Sequence, residues 1–321
     1  MPALISRSRA GLVLKALFGG GLFTWMVVSG KLNLAAVGRS LADWPLMLGI
    51  LGLGYTQVAI TTWRWDLLLR AQNIRLPFGR LWSLTMIGML FNTVIPGSMG
   101  GDLIKGYYIA SASAGRKTRA ATTLLVDRAA GLTGLLILGG ALVLANWSAT
   151  ARSASTRSLG MVAVLGALAG VLGLYAAVLA GKRISRSHYL PAILTHVFEA
   201  LHEYRYRYSA IPVALTLSIV NQTLSCLMYY LALRAAGTAG LPAGQFFLIV
   251  PLGLITSAIP ISPGGIGVGQ AAFFALFQIV SPCHAAAGTD ALTVFQLMFI
   301  LICLSGLFWY ISGRYAESRS S

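Results

Sequence analysis

Apolar stretches long enough to cross a lipid bilayer recur along the whole chain, and they limit the fold more than any other feature. A hydrocarbon core about 30 Å thick requires a helix of about 20 residues. Helices are favoured because they satisfy their own backbone hydrogen bonds where water is absent. Of the 321 residues, 57% are hydrophobic and only 10% are charged, whereas soluble domains contain about a quarter charged residues. The sequence therefore predicts an all-α polytopic membrane protein and excludes a soluble enzyme.

Charged and polar breaks divide the chain into six full spans and two interrupted apolar regions. The interrupted regions, 80–112 and 243–281, each contain a proline and glycine cluster, so each is a pair of short spans or a hairpin that enters and returns. Either arrangement crosses the membrane an even number of times. No segment is long and polar enough for a soluble domain, which predicts a single transmembrane domain over residues 1–321. The six full spans are expected near residues 11–30, 46–65, 121–145, 159–180, 209–233 and 289–312.

The net charge of +16 is concentrated between the apolar stretches. With the N-terminus in the cytoplasm, 17 of the 24 Lys and Arg residues fall on the cytoplasmic side and five on the other, while Lys105 and Arg128 lie within the membrane. Cytoplasmic loops carry such an excess of basic residues. The distribution predicts a multi-pass protein of the plasma membrane, here a bacterial inner membrane, with both termini cytoplasmic. It indicates membrane lipids as partners, and not nucleic acid.

The two interrupted regions contain the same phrase. Ile95-Pro-Gly-Ser-Met-Gly-Gly101 and Ile259-Pro-Ile-Ser-Pro-Gly-Gly265 share five of seven residues and lie 164 positions apart. Each half of the chain runs span, span, interrupted region, span, which crosses the membrane an odd number of times, so the second half is inserted upside down. The sequence therefore predicts two inverted repeats, at about 11–145 and about 159–312. This pattern is typical of secondary transporters that bind their substrate near the bilayer midplane.

Both breaks have the residues that end one helix and start another. Proline removes a backbone donor and disfavours the helical conformation of the residue before it, and paired glycines allow conformations that other residues avoid. The helix after each break then presents N–H groups and a partial positive charge, which favour an anion. Kinked helices or tight external turns remain the alternative. The predicted helix-break residues are Pro96, Pro260 and Pro263, and the adjoining glycine pairs are Gly100, Gly101, Gly264 and Gly265.

Charged residues inside the predicted membrane region follow the first break. Asp102 and Lys105 are three positions apart on one helix face and are placed to pair. Asp127 and Arg128 lie about eight residues into the next span, or roughly 12 Å deep. Charges at this depth usually face a bundle interior or a water-filled cavity. One economical arrangement places Asp127 near Lys105 and points Arg128 into a cavity.

Arginine suits a phosphate group because its planar guanidinium donates two hydrogen bonds at once. Arg128 and Lys105 are therefore predicted to hold a lipid phosphate, and a buried ion-pair network that fixes helix register is the alternative. Asn92, Gln222 and Gln270 are candidates for the polar lining of the site. The candidate substrate-binding residues are Asn92, Gly100, Gly101, Asp102, Lys105, Asp127, Arg128, Gly264, Gly265 and Gln270.

Catalytic chemistry has little support in the predicted spans. All four histidines are expected in loops, and the spans contain no pair of nucleophile and base and no metal cluster. The sequence therefore predicts no catalytic residues, no metal and no cofactor. The longest loop, about 181–208, mixes aromatic and basic side chains towards its end. It is expected at the inner leaflet surface, as an interfacial anchor or as a site for anionic headgroups.

Three motifs in order resemble the transmembrane region of lysylphosphatidylglycerol synthases. They are Asn92-Thr-Val-Ile-Pro-Gly-Ser-Met-Gly-Gly-Asp-Leu-Ile-Lys105, Asp127-Arg128 and Pro260-Ile-Ser-Pro-Gly-Gly-Ile-Gly-Val268. The resemblance covers nearly the whole chain. In the full-length synthases this region is regarded as a flippase for the aminoacylated lipid and precedes a soluble aminoacyl-transferase domain. Stand-alone relatives are associated with hopanoid, glycolipid or surface-glycan pathways.

The resemblance carries expectations about function and about individual residues. The chain ends at Ser321 without room for the transferase, so synthase activity is not expected. Lys105 stands where the family more often has arginine, which weakens the case for a two-pronged phosphate contact there. The resemblance implies a stand-alone flippase or transporter of an anionic phospholipid or lipid-linked intermediate. The alternative is a non-catalytic accessory subunit of a lipid or glycan pathway, and a homo-oligomer or a biosynthetic enzyme partner is compatible with both.

Overall fold

The computed structural model describes residues 17, 20–21, 23–94, 100–112, 117–151, 154–185, 192–207, 209–238, 240–257 and 265–313. All regular secondary structure in these residues is helical. The helices are α1 Leu34–Leu41, α2 Trp44–Ala71, α3 Phe78–Val94, α4 Gly100–Ala112, α5 Lys117–Ala145, α6 Ala154–Ser185, α7 Ala192–Glu203, α8 Ala210–Ala235, α9 Ala243–Ser257, α10 Val268–Val280, α11 Ala285–Leu304 and α12 Gly306–Ile311. Shorter helical segments cover residues 23–28, Trp147–Thr150, Tyr204–Arg207 and Pro282–His284.

Five helical segments among the described residues are long and apolar enough to cross a membrane. They correspond to five of the six predicted spans, and the protein is therefore an all-α multi-pass membrane protein. The first predicted span, 11–30, lies largely outside the described residues, although residues 23–28 at its end are helical. The five segments are Trp44–Ala71, Thr118–Ala145, Thr156–Gly181, Ala210–Ala235 and Pro282–Ile311.

Each interrupted region consists of two short helices packed against each other, α3 with α4 and α9 with α10. These helices contain 17, 13, 15 and 13 residues. Each is therefore shorter than a full span, which needs about 20 residues. The helices end at Val94 and Ser257, next to the predicted breaks. The break residues Pro96, Pro260, Pro263 and Gly264 lie outside the described residues.

Helices α2 and α8 lie side by side in opposite directions at the centre of the molecule. Gln57 Nε2 on α2 donates to Asn221 O (2.8 Å) and Ser225 Oγ (2.6 Å) on α8. About two turns further along α2, Arg64 donates from a terminal guanidinium nitrogen to Ser218 Oγ (2.7 Å). The partner numbers fall along α8 as the numbers rise along α2, so the two helices are antiparallel.

Large buried side chains fill the space between the helices, and their polar atoms form hydrogen bonds. Tyr229 packs on Phe273 with ring centroids 5.1 Å apart, and its hydroxyl donates to Gly288 O (2.7 Å). Trp65 is buried and donates from Nε1 to Thr123 Oγ1 (3.2 Å). Lipid is as apolar as these side chains, so close packing and interhelical hydrogen bonds stabilise the bundle more than the hydrophobic effect does.

The described residues of the segment 181–208, which was predicted as one long loop, are helical: residues 181–185 end α6, Ala192–Glu203 form α7 and Tyr204–Arg207 form a 3₁₀ turn. His202 on α7 is buried, with Nδ1 2.8 Å from Val178 O. The expectation that all histidines lie in loops is therefore wrong: His196 and His202 are on α7 and His284 is in the short turn Pro282–His284, while His188 lies outside the described residues. Apolar residues repeat at helical spacing along α7, which allows it to pack on α5 and α6.

Candidate functional site

A cavity of about 470 Å³ opens between α2, α3, α8 and α11. Its size falls in the range of about 300–1,000 Å³ that is typical of sites for small molecules. Most of the lining is apolar, including Val58, Met89, Leu254, Phe295 and Phe299. Its polar lining includes Gln57, Asn92, Arg128, Asn221, Gln222 and Gln296.

Arg128 carries the one charge among the described residues of this lining. It projects from α5 towards the start of α4, where its Nε donates to Asp102 Oδ2 at 2.6 Å. The Arg128 side chain is 50% exposed and that of Asp102 is 23% exposed. Asp102 therefore orients the guanidinium, while half of the Arg128 side chain remains exposed. Sequence reasoning placed Arg128 at a cavity, and the structure puts it there.

Asp127 has a partner that sequence reasoning missed. Arg64 on α2 donates from Nε to Asp127 Oδ1 at 2.7 Å, and both side chains are buried. The Arg64 guanidinium lies against α5 at Gly131, where a Cβ would be 3.5 Å from its nearest terminal nitrogen. The ion pair of Asp127 is thus with Arg64, while Lys105, which was expected near Asp127, is close enough for an electrostatic attraction to it. Arg64 lies inside α2 and is buried in the helix bundle.

Lys105 lies beside the cavity but does not line it. Its aliphatic chain crosses α3 at Gly88, where a Cβ atom would be 2.6 Å from Lys105 Cε. Its ammonium is 4.8 Å from the centre of the Trp65 ring, and the residue is 7% exposed. Asp127 and Asp102 attract this charge without an ion pair to either. The predicted pairing of Asp102 with Lys105 is replaced by the pairing of Asp102 with Arg128.

Asn92, Gly100 and Gly101 form the junction between α3 and α4. Asn92 Oδ1 accepts from Gly101 N at 2.8 Å, and α4 begins at Gly100. A Cβ at Gly101 would lie 1.8 Å from Gly88 O, so only glycine permits this approach of the two backbones. The Gly101 N–H is thus bonded within the protein, and Asp102 stands in the first turn of α4.

The second helix pair has a neutral version of the same junction. Gln270 is fully buried, accepts from Gly267 N with Oε1 (2.7 Å) and donates to Gln296 Oε1 (2.6 Å). Gly265 is buried and has a φ of 71°, a conformation that glycine adopts most easily. Gly267 N is bonded within the protein, as Gly101 N is in the first pair. Gln270 therefore supports the cavity wall through Gln296 and does not line the cavity itself.

Gln57, Asn221 and Gln296 are cavity residues that the sequence analysis did not select. Each is a polar side chain in an apolar span, which is the signal that could have identified it. Gln222 was expected to line the site and does so. The structure thus brings Asn92, Arg128 and Gln222 to one cavity, and it places Asp102, Lys105, Asp127 and Gln270 around that cavity as supporting residues.

The fold and the cavity define a multi-pass membrane protein in which, among the described lining residues, one arginine faces a largely apolar chamber. The model of the family described as lysylphosphatidylglycerol synthase TM region matches residues 12–306. The chain belongs to this family, which relates it to lipid modification or transport. Among curated proteins, none matches the chain.

Proposed function

We propose that this protein moves an anionic lipid across the membrane and that Arg128 holds the lipid headgroup in the central cavity. The observation that carries the proposal is the half-exposed guanidinium of Arg128 on an otherwise uncharged lining among the described residues. A cation in a low-dielectric chamber attracts a phosphate more strongly than it does in water. The apolar part of the lining suits the glycerol and upper acyl segments of such a lipid.

Asp102 has two roles in this proposal. Its ion pair with Arg128 fixes the guanidinium, so a headgroup meets a donor that is already oriented. It also offsets part of the unfavourable desolvation of an arginine in the membrane when no lipid is bound. A lipid phosphate then adds hydrogen bonds on the exposed half of the same side chain.

The proposal includes two inverted halves that meet at the cavity, and several contacts support it. Gln57 and Asn221 are bonded and lie 164 positions apart, the spacing of the repeated phrase. Residues at equivalent positions touch when they lie on a two-fold axis between repeats. Gly54 faces Met228, and Arg64 bonds to Ser218. These two contacts exchange under the same offset, as contacts related by a two-fold axis must.

The helices after the breaks correspond with a slightly larger offset. Gly100–Ala112 and Val268–Val280 have equal lengths and start 168 positions apart, as do Lys117 and Ala285 at the starts of α5 and α11. The difference of four residues falls between α9 and α10 and equals about one helical turn. The proposal has six full spans, two hairpins and, from the distribution of Lys and Arg, cytoplasmic termini. One half rocks against the other and exposes the cavity to each leaflet in turn.

Reconstitution into liposomes tests the function. Transfer of fluorescent phosphatidylglycerol between leaflets is followed by chemical quenching of the outer label. We expect wild-type protein to transfer the lipid and Arg128→Ala to lose nearly all transfer while keeping its size-exclusion profile and melting temperature. Arg157→Ala, which removes an exposed arginine outside the cavity, serves as the matched control and should transfer normally. Transfer that survives Arg128→Ala, or absence of transfer for every lipid tested with wild-type protein, would refute the proposal.

A further inference from the structure

A second, smaller cavity of about 360 Å³ lies at the end of α2, away from the central cavity. Its described lining is Arg70, Arg75, Leu76 and Arg207. The three arginines come from three different elements: the last turn of α2, the link between α2 and α3, and the 3₁₀ turn before α8. The family resemblance and the central cavity do not explain why they converge.

The backbone after α2 is built to place Arg75 beside Arg70. Asn73 has a φ of 58°, the one positive value among non-glycine residues in the described ranges. Its N–H donates to Arg70 O (3.0 Å), and the N–H of Ile74 donates to Leu69 O (2.9 Å). This pair of bonds is a Schellman motif, which ends a helix and reverses the chain, and asparagine is the usual substitute for glycine in it. The buried side chain of Ile74 packs in the same cluster as Leu69 and anchors the reversal.

Arg207 is held from the other side of the cavity. Its 3₁₀ turn begins with Tyr204, which is fully buried and donates its hydroxyl to Leu68 O on α2 (3.2 Å). Gln72, at the end of α2, donates from Nε2 to Ala200 O on α7 (2.7 Å). These bonds tie the turn to α2, so the position of Arg207 relative to Arg70 and Arg75 is fixed by buried groups and does not depend on a surface loop.

The charges around this cavity are unbalanced. Asp66 is buried and holds Arg70 with two bonds, from Nε to Oδ1 (2.9 Å) and from a terminal nitrogen to Oδ2 (2.7 Å). In the part of the chain that the structure describes, no ion pair holds Arg75 or Arg207. Arg70, Arg75 and Arg207 thus line one cavity, and among the described residues only Arg70 has a carboxylate partner. The other two positive charges attract an anion to this cavity.

We propose that this cavity binds a phosphate group at the membrane surface, presented by the headgroup of an anionic phospholipid or by a soluble phosphate compound. Guanidinium groups match phosphate oxygens in geometry and charge. The cavity lies at the end of a membrane-spanning helix, where lipid headgroups lie, and Leu76 adds an apolar wall beside the arginines. The site is independent of Arg128 and of lipid transfer.

Ligand-induced stabilisation of the detergent-purified protein tests the site. All samples carry Arg128→Gln, so that binding in the central cavity does not contribute. The probes are dioctanoyl phosphatidylglycerol, dioctanoyl phosphatidylcholine and inorganic pyrophosphate at equal ionic strength. The test variant is Arg75→Gln with Arg207→Gln. The matched control is Arg183→Gln with Arg205→Gln, which removes the same charge from two exposed arginines that do not line the cavity.

We expect phosphatidylglycerol to raise the melting temperature of the Arg128→Gln protein and of the control, and the test variant to need at least about tenfold more lipid for the same shift. Stabilisation by phosphatidylglycerol but not by pyrophosphate identifies a lipid headgroup as the ligand, and stabilisation by both identifies the phosphate itself. An equal loss in test and control variants, no loss in the test variant, or equal stabilisation by phosphatidylcholine would overturn the proposal.

Discussion

The α3–α4 and α9–α10 helix pairs have the same layout and different chemistry. In each pair, the third residue of the second helix bonds to a residue 26 positions later on the following span: Asp102 to Arg128 and Gln270 to Gln296. Both later residues line the central cavity. The first junction is an ion pair, and the second is a neutral amide pair.

This difference shows that the same junction geometry can be built with charged or with neutral side chains. Amide groups satisfy each other at a lower desolvation cost than an ion pair inside the membrane, so Gln270 and Gln296 can fix their half without presenting a charge. The first half contains the charged residues of the site, with Arg64, Asp102, Lys105, Asp127 and Arg128. We infer that one half supports the cavity wall and the other half recognises the ligand.

The largest effect is expected from breaking the buried charge network of the first half. Arg64→Gln leaves Asp127 buried without its ion-pair partner, which should lower the free energy of unfolding by about 3–5 kcal/mol. Under the proposed repeat, the position equivalent to Arg64 is Met228, which is fully buried and apolar. Chemical denaturation in mild detergent measures the change.

The control for this prediction makes the first half more like the second. Arg64→Met together with Asp127→Leu removes both charges, and we expect it to recover most of the stability lost in Arg64→Gln. A double variant that is less stable than Arg64→Gln would mean that the ion pair stabilises the protein, and does more than compensate for the burial of its two charges.

An intermediate loss of stability is expected when alanine replaces a glycine at the contact between the two helices of each pair. Gly101→Ala places a Cβ 1.8 Å from Gly88 O, and the backbones must separate, so we expect a loss of about 3 kcal/mol, the upper end for overpacking. Gly253→Ala meets the Phe273 ring at 2.4 Å, and a side chain yields more easily than a backbone. Its loss should be smaller. Thermal unfolding compares the two variants.

Gly106→Ala is the matched control on α4, since its Cβ would meet only Leu124 at 3.5 Å. Alanine has a higher helix propensity than glycine, and we expect this variant to be as stable as wild type or more stable. Equal destabilisation by Gly101→Ala and Gly106→Ala would show that the close approach of α3 and α4 is not the reason why position 101 requires glycine.

The smallest effect is expected in the neutral junction. Gln270→Leu leaves the Gly267 N–H and the Gln296 amide without their partner, which should reduce the free energy of unfolding by about 1–3 kcal/mol. Phosphatidylglycerol transfer should remain close to normal, because the second half carries no charge used for recognition. Loss of transfer with full stability would place ligand recognition in the second half and reverse the comparison.

Much of the fold was accessible from the sequence because length and hydropathy determine a membrane span. Five predicted spans and both interruptions correspond to helices and helix ends of the structure. The position of Arg128 was accessible for a related reason, since a charge placed deep in the membrane requires a polar surrounding.

The partners of the charged residues were not accessible, because they depend on helix register and packing. Arg64 stands one residue before the end of the predicted span 46–65, whereas α2 continues to Ala71 and keeps Arg64 inside the bundle. The bond between Asp102 and Arg128 requires the α3–α4 pair to fold back at a backbone contact between two glycines. The change of offset between the two proposed repeats, from 164 to 168, also becomes visible only from the helix boundaries.

The central claim is that Arg128 recognises the negative charge of a lipid headgroup. The most direct measurement is the ratio of transfer rates for phosphatidylglycerol and phosphatidylcholine, which share their acyl chains, in liposomes containing wild-type protein or Arg128→Gln. We expect wild-type protein to transfer phosphatidylglycerol faster and Arg128→Gln to transfer both lipids at similar, low rates. The same preference for phosphatidylglycerol in both proteins would contradict the claim.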